Sequence, residues 1–145
     1  MVDPERVRRR LREIDRRLEV LRQIKAEGPE QLRDDFRVRA ETEHHLQVAV
    51  QAAIDVANHI VSEDSAWTPE DYGSTFALLA QMGVIDRQLA ERLKRAAGLR
   101  NVIVHGYVDV DVDLLWEGLA RAGDLEELAV AANRYLEEHR GTEPA

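Results

Sequence analysis

The feature that most constrains this chain is a long run without helix-breaking residues. Neither Gly nor Pro occurs between Asp34 and Ser62, and from Leu46 to Val61 the run is rich in Ala, Val and Ile. This pattern predicts a helix that begins near Glu30 or Asp34 and ends at Ser62. Because apolar residues cover most of its circumference, we expect neighbouring helices to bury it on most sides.

Shorter helical patterns flank this run. Before it, apolar residues recur every three or four positions from Val7 to Ile24, which predicts an amphipathic helix. After it, the Thr68-Pro69 pair predicts the cap and first residue of a short helix. Asp86 and Gly123-Asp124 predict the starts of two more helices.

Residues 108–112 alternate between Val and Asp, as a strand would. So short a segment does not build a sheet, and we expect an extended connector followed by a helix that Asp111 or Asp113 caps. The chain has 145 residues, the length of one domain with a single core. We therefore predict one all-α domain over residues 1–145, a bundle of five or six helices.

Composition excludes several classes of function. The chain has no cysteine, which excludes disulfides and thiolate catalysis and limits any zinc site to His and carboxylate ligands. No segment reaches the roughly 18 apolar residues that span a bilayer. The N-terminus is charged from Asp3 onward, unlike a signal peptide. We therefore expect a cytoplasmic protein that does not enter the membrane.

Charge is distributed unevenly. The net charge of −8 argues against a protein that coats nucleic acid through bulk charge, yet residues 1–40 hold 12 Lys and Arg against 9 Asp and Glu. This basic end is either a solvated helix with internal ion pairs or a phosphate-binding surface. If the first helix lies near the functional site, the candidates for such a surface are Arg6, Arg8, Arg9, Arg10 and Arg12.

A line of polar residues crosses the long helix at four-residue spacing. Its members are Arg39, Glu43, Gln47, Gln51, Asp55 and His59. The line could face water, line a cleft or dimer seam, or supply half of a metal site through Asp55 and His59. We predict no metal ion, because no second helix carries a matching Glu-x-x-His pattern. As supporting residues, Asp55 and His59 would hydrogen-bond to each other or face the Arg100 segment.

The sequence RNVIVHGY, from Arg100 to Tyr107, places an Arg, a His and a Tyr around three apolar residues. On a regular helix, Arg100 and His105 lie about 140° apart around the axis, whereas Asn101 and His105 share one face. Arg100 and His105 can therefore act on one point if the backbone breaks at one of the two flanking glycines. Alternatively, two chains each contribute a pair to a shared cleft.

These residue types suit cleavage of RNA without a metal ion. An imidazole can take the proton from a ribose 2′-OH at neutral pH, and the oxygen then attacks the adjacent phosphorus. A guanidinium supplies a permanent charge to the phosphoryl oxygens. In this interpretation His105 and Arg100 are catalytic, Asn101 holds the His or the phosphate, and Tyr107 contacts a base. The spacing alone favours a capping Arg and a core His, because an Arg and a His five positions apart occur by chance in many proteins.

The segment resembles the R-x4-H-x-Y motif of the HepT-like branch of the HEPN superfamily, and the similarity extends over nearly the whole chain. Other similar features are the Arg39-to-His59 line, the Asp71-Tyr72 helix start, the turn from Met82 to Ile85 and the Leu99-Arg100-Asn101 approach. The resemblance implies a homodimeric helical bundle in which two motifs meet in one cleft. It implies cleavage of RNA, either tRNA or mRNA, by Arg100 and His105 without a cofactor.

The resemblance also implies a partner. Proteins of this family are typically toxins of toxin–antitoxin pairs, and a minimal nucleotidyltransferase antitoxin neutralises them. Tyr107 matches the tyrosine to which such antitoxins attach AMP, which makes it a candidate modification site. Adenylate beside Arg100 and His105 would add negative charge and bulk where the substrate phosphate binds. A second class of function is a non-catalytic helical module that binds a nucleotidyltransferase or a nucleotide.

Overall fold

The computed structural model describes residues 1–106 and 110–139, with the backbone alone at Tyr72. These residues form seven helical segments and no strand. The segments are α1 (Pro4–Ala26), α2 (Glu30–Asp34), α3 (Phe36–Asp64), α4 (Tyr72–Gln81), α5 (Arg87–His105), α6 (Val112–Ala120) and α7 (Gly123–Glu138). The all-α prediction is confirmed, and the six longer helices agree with a bundle of five or six, since α2 is a turn of only 5 residues.

The helix α3 lies at the centre of the bundle. It contacts every other helix, and α1 packs along it most extensively. Its side chains from Leu46 to Val61 are largely buried, and many are Ala or Val, which lets neighbouring helices approach closely. The expectation that this helix is buried on most sides is confirmed. Each buried Leu, Ile or Val contributes about 1.5–3 kcal/mol through loss of contact with water.

The chain from Glu30 to Ser62 does not form a single helix. It breaks at Asp35, whose backbone is extended at φ −120° and ψ 106°. The Asp35 carboxylate accepts a hydrogen bond from the Arg37 backbone N–H at 2.9 Å, which caps α3. Of the two predicted starts, the one near Asp34 is therefore confirmed, and the one near Glu30 is wrong. An Asp side chain can satisfy a backbone donor itself and so compete with continued helix.

The helix α4 begins later than the Thr68-Pro69 pair predicts. The Asp71 carboxylate accepts a hydrogen bond from the Ser74 backbone N–H at 2.6 Å, and Ser74 Oγ accepts one from the Asp71 backbone N–H at 3.2 Å. This reciprocal capping box satisfies two backbone donors, so the helix starts at Tyr72. The same contacts with Ser74 lower the pKa of the Asp71 carboxyl group. The predicted starts at Asp86 and Gly123-Asp124 are confirmed.

The predicted connector at residues 108–112 lies partly outside the described residues. At its described end, Val110 and Asp111 are not helical. Asp111 caps α6 by accepting a hydrogen bond from the Asp113 backbone N–H at 2.8 Å, so the first of the two predicted caps is confirmed. None of the described helices has the length and apolar character that crossing a membrane requires.

Candidate functional site

The candidate site lies at the C-terminal end of α5. Asp86 caps the first turn of this helix by accepting a hydrogen bond from the Leu89 backbone N–H at 2.7 Å. The helix passes through Gly98 without a break and ends at His105, and Gly106 follows as the C-cap. Of the two possible breaks, only the later one occurs, and it comes after both Arg100 and His105.

Arg100 and His105 therefore project from one regular helix, about 140° apart around its axis. Arg100 is partly buried and continues the row of Leu93 and Ala97, which pack into the bundle. His105 is exposed to solvent. Its imidazole makes no hydrogen bond or ion pair within residues 1–106 and 110–139. The imidazole is open to an incoming ligand, whereas the stem of Arg100 is anchored against the protein.

Asn101 connects these two directions. Arg100 Nη1 donates a hydrogen bond to Oδ1 of Asn101 at 3.1 Å. Asn101 lies between Arg100 and His105 around the helix, about 100° from the first and 40° from the second. The hydrogen bond thus turns the guanidinium toward the face that Asn101 shares with His105. One chain can present a guanidinium, a carboxamide and an imidazole on the same side of α5.

Packing against α3 and α6 positions this end of α5. Leu99 and Leu46 lie next to Gly118 of α6, so close that a Cβ on Gly118 would come within 2.6 Å of Leu99 Cδ2 and 3.1 Å of Leu46 Cδ1. The same two leucines line a cleft of about 270 Å³ between α3, α5, α6 and α7. Sequence reasoning missed Gly118, because a close approach between helices has no local signal in the chain.

Tyr107, the candidate modification site, lies outside the described residues, together with Val108 and Asp109. The residues next to this gap differ in exposure. Gly106 is exposed on one side of it, whereas Val110 is buried on the other. The R-x4-H segment therefore ends at the surface, and the next described residue, Val110, lies in the core just before α6.

The polar line on α3 is divided among neighbouring helices. Asp55 accepts a hydrogen bond from Gln51 Nε2 at 2.9 Å, and its other oxygen lies 3.6 Å from Nε of Arg10 in α1. His59 Nε2 accepts a hydrogen bond from the Asp3 backbone N–H at 2.9 Å. The structure thus brings Asp55 and His59 to the α1 side of α3. Within the described residues, Asp55 and His59 contact neither each other nor Arg100 through a hydrogen bond or ion pair.

Metal binding has no preformed site in the described parts of the chain. Within residues 1–106 and 110–139, no three His, Asp or Glu side chains lie close enough together to hold a metal ion. Asp55 and His59, the pair considered for half of such a site, instead serve as acceptors toward Gln51 and the Asp3 backbone. Their hydrogen bonds join α3 to itself and to the start of α1.

Two histidines of this α1–α3 contact are held neutral. Burial lowers the pKa of His59, and the nearby charge of Arg6 lowers it further. Burial, followed by the charge of Arg17, lowers the pKa of His45. Arg17 Nη1 lies 3.1 Å from His45 Nδ1, and because a guanidinium can only donate, that nitrogen must be an acceptor. Both rings therefore fasten α1 to α3 in their neutral form.

Two of the candidate arginines of α1, Arg10 and Arg12, lie away from the motif. Arg10 pairs with Asp55, and Arg12 pairs with Glu5 at 3.1 Å. Leu46 lies beside Leu99, the residue before Arg100. Along the α3 axis, Leu46 is about 14 Å from Asp55, given a rise of about 1.5 Å per residue. For these two arginines the interpretation as an ion-paired helix agrees with the structure, and the surface they occupy does not adjoin Arg100.

Comparisons with known proteins show the family of this chain. The family model described as ribonuclease HepT-like matches residues 11–134. An mRNA nuclease HepT from Shewanella oneidensis is 33% identical over 102 residues, which cover 70% of this chain and 76% of that protein. A tRNA nuclease HepT from Aphanizomenon flos-aquae is 29% identical over 136 residues, covering 93% and 92%.

The fold is also similar to a solved structure. The structure of a tri-AMPylated Shewanella oneidensis HEPN toxin in complex with MNT antitoxin superposes with a TM-score of 0.82 at 28% sequence identity. The match covers 92% of this chain and 99% of that chain. The agreement extends over nearly the whole bundle, and the end of α5 lies within the residues that the family model matches.

Proposed function

Because the chain belongs to the ribonuclease HepT-like family, whose members cleave RNA, we propose that it is a metal-independent endoribonuclease and the toxin of a toxin–antitoxin pair. The observation that carries this proposal is the arrangement at the end of α5, where the Arg100–Asn101 hydrogen bond turns the guanidinium toward the face of His105. The similarity to two nucleases named HepT supports the same activity. The two relatives differ in their target, since one is named an mRNA nuclease and the other a tRNA nuclease.

The proposed reaction uses only side chains of this motif. His105 accepts the proton of a ribose 2′-OH, and the 2′-oxygen attacks the adjacent phosphorus. The bond from phosphorus to the 5′-oxygen of the next nucleotide breaks, and that oxygen leaves as a hydroxyl after it takes up a proton. Arg100 stabilises the negative charge on the phosphoryl oxygens, and Asn101 holds the guanidinium in place. The products are a 2′,3′-cyclic phosphate and a 5′-hydroxyl end.

In this proposal the active enzyme is a homodimer. One chain offers a single imidazole at the site, whereas the reaction needs one group to accept a proton and another to supply one. A two-fold axis beside the end of α5 would bring a second motif to the same phosphate. The exposed side chains of Val102 and Leu114 support a contact at this end of the bundle, since both are large apolar residues left open to solvent.

The proposed regulator is a minimal nucleotidyltransferase that attaches AMP to Tyr107. Support comes from the related HEPN toxin, whose solved structure is tri-AMPylated and in complex with MNT antitoxin. Tyr107 follows His105 by two positions, so an adenylate there would place negative charge beside the groups that must bind the substrate phosphate. Modification would thus block RNA binding without any change to Arg100 or His105.

Incubation of the purified protein with total RNA in EDTA tests the nuclease. We expect new RNA ends with 2′,3′-cyclic phosphates from the wild-type protein and none from His105→Ala or Arg100→Gln. The matched control is His59→Ala, which removes a histidine outside the site. Intact RNA with the wild-type protein, together with tight binding to the nucleotidyltransferase, would instead support a non-catalytic binding module.

Mass spectrometry tests the modification. After incubation with ATP and the nucleotidyltransferase, the wild-type protein should gain the mass of one or more AMP groups, and Tyr107→Phe should gain none. Tyr135→Phe is the matched control, because the Tyr135 hydroxyl is largely buried and donates a hydrogen bond to Asp64. An unchanged mass of the wild-type protein, under conditions where the enzyme modifies another substrate, would contradict the assignment of Tyr107.

A further inference from the structure

Phe36, the first residue of α3, exposes 67% of its surface to solvent. A single exposed apolar residue needs no explanation by itself. Phe36, however, is backed by a cation, because the Arg39 guanidinium lies over the ring, 5.8 Å from its centroid. This distance is within the range of a cation–π contact. The ring therefore has a cation on one side while much of its surface remains open.

The Arg39 side chain is fixed in this position by α2. Its Nη1 donates hydrogen bonds to the backbone oxygens of Leu32 at 3.2 Å and Arg33 at 3.4 Å. These carbonyl groups lie at the end of α2, where the helix leaves acceptors without an intrahelical donor. Arg39 thus caps α2 and holds its guanidinium near Phe36 at the same time. The pair is preorganised for a planar ligand that stacks on the ring.

The direction of α5 brings this pair to the same end of the bundle as His105. Lys94 packs beside Gly73 at the start of α4, and Thr75 Oγ1 of α4 donates a hydrogen bond to Asn58 Oδ1 of α3 at 2.6 Å. Five residues later, Leu99 lies beside Leu46. As α5 advances it therefore moves toward the beginning of α3, so the two helices run in opposite directions.

Helix rise gives the levels of the two residues. At about 1.5 Å per residue, His105 lies about 9 Å beyond Leu99, and Phe36 lies about 15 Å beyond Leu46 in the same direction. Along the bundle axis, Phe36 is thus only about 6 Å further out than His105. Both residues belong to the end of the bundle where α3 begins and α5 finishes.

Phe36 also lies on the side of α3 that faces α5. It falls in one row with Glu43 and Val50, which follow it at intervals of seven residues and so lie on nearly the same face. Val50 lines the cleft of about 270 Å³ together with Leu99 of α5. The ring of Phe36 therefore lies on the face of α3 that contacts α5, nearer to the start of α3 and beyond the level of Arg100 and His105.

We propose that Phe36, backed by Arg39, is a stacking platform for an unpaired base of the RNA substrate. The inference rests on the proposed nuclease function and adds a substrate-binding residue to it. Unpaired bases of RNA stack on aromatic rings and on arginine planes, and both surfaces are present here. A base on Phe36 would position the neighbouring phosphates of the strand near Arg100 and His105.

Charge contributes little to this contact. The exposed residues beside Phe36 include Arg33 and Arg37, which make no side-chain ion pair with the described residues. The carboxylates of Asp34 and Asp35 lie in the same stretch of chain and offset those two charges. The platform should therefore discriminate unpaired from paired RNA, and its contribution to binding should depend little on salt.

The test measures kcat and KM with an RNA that the wild-type protein cleaves. Phe36→Ala and Phe36→Leu should raise KM roughly tenfold, the effect expected from loss of one base stack. Phe36→Trp and Phe36→Tyr should restore it, and kcat should stay the same throughout. Binding of a labelled single-stranded RNA to the His105→Ala protein should weaken with Phe36→Ala, whereas binding of the same sequence as a duplex should not.

The matched control is Trp67→Ala. Trp67 is also an exposed aromatic residue, but it follows the opposite end of α3, which is about 43 Å long. An unchanged KM in Phe36→Ala, or an equal rise in Trp67→Ala, would overturn the platform while wild-type cleavage upheld the nuclease. A defect of Phe36→Ala that follows loss of the dimer or of antitoxin binding would also overturn it, and would assign Phe36 to a protein interface.

Discussion

The α1–α3 contact and the end of α5 both carry histidines beside charged residues, yet they differ in what satisfies those side chains. At the α1–α3 contact, His59 accepts a hydrogen bond from Asp3 N–H, and His45 accepts one from Arg17. At the end of α5, His105 is exposed and its imidazole makes no hydrogen bond with the described residues. The first two rings stabilise the fold, whereas the third is available to a substrate.

The largest expected effect that separates these regions comes from removing His105. His105→Ala should lower the rate of RNA cleavage by about 100-fold to 10,000-fold, the usual contribution of a placed acid–base group. Because the side chain is exposed, the melting temperature should remain close to that of the wild-type protein. Initial cleavage rates and a thermal melt of the same preparation check both statements.

His59→Ala should give the opposite result. It removes the acceptor for the Asp3 backbone N–H, so the melting temperature should fall while the cleavage rate per folded molecule is maintained. A loss of cleavage in His59→Ala comparable to that in His105→Ala would break the comparison, because the polar line on α3 would then belong to the site.

A second test asks whether packing holds the end of α5 in position. Gly118→Ala should reduce the free energy of unfolding by about 1–3 kcal/mol, because the new methyl group would overlap Leu99. Displacement of Leu99 should also shift its neighbour Arg100 and lower the cleavage rate per folded molecule. Denaturant unfolding and single-turnover kinetics measure the two effects.

The control for this substitution is Gly98→Ala within α5. A Cβ at Gly98 meets no atom within 4 Å, so the change should stabilise the helix by about 0.5–1 kcal/mol. The loss of stability in Gly118→Ala combined with Leu99→Ala should be smaller than the sum of the two single losses, because the shorter side chain makes room for the methyl group. If the two single Gly variants unfold at the same denaturant concentration, close packing at Gly118 does not position α5.

The pH dependence of stability should report the α1–α3 contact. The folded protein holds the pKa of His59 and His45 below the ordinary value of 6.5, so the folded state binds these protons less readily than the unfolded chain. Their contribution is present above pH 6.5 and is lost as the pH falls from there through the lowered pKa values. The melting temperature should therefore decrease on acidification from neutral pH.

The variant His59→Gln separates this effect from other groups. It keeps an acceptor for Asp3 N–H but does not titrate, so the decrease should become smaller. Arg17, mainly through its hydrogen bond, lowers the pKa of Glu13, whose ordinary value is 4.5. That carboxylate loses its contribution only at more acidic pH, as does Asp71. Equal slopes for wild type and His59→Gln between neutral pH and about pH 5 would contradict a neutral, accepting His59.

The sequence predicts the helices better than it predicts the contacts between them. The periodicity from Val7 to Ile24 and the apolar run from Leu46 to Val61 correctly identify two buried helix faces. Periodicity does not locate the break at Asp35 or the start at Tyr72, because side chains that cap the backbone decide both. Local capping therefore sets where helices begin, even where the apolar pattern is correct.

Contacts between helices are the part that the sequence does not reveal. The four-residue spacing of Asp55 and His59 is visible in the sequence, but their partners Arg10 and Asp3 come from α1, more than forty positions away. The close approach at Gly118 likewise depends on two other helices. The motif from Arg100 to His105 is local, and the sequence left open a break at either flanking glycine, of which the one at Gly106 occurs. The hydrogen bond from Arg100 to Asn101 has no signal in the sequence.

The smallest expected effect concerns the ion pair between Arg10 and Asp55. Its side chains are 49% and 32% exposed and lie 3.6 Å apart, so water screens their attraction. Arg10→Gln should therefore destabilise the protein by no more than about 1 kcal/mol, and less at high salt. Asp55→Asn keeps an acceptor for Gln51 Nε2 and should have a similarly small effect. A double-mutant cycle measured by denaturant unfolding isolates the coupling between the two charges. Because the pair lies in the α1–α3 contact, RNA cleavage should be unchanged in every variant. A parallel loss of cleavage would show that the active site extends to the α1 side of α3.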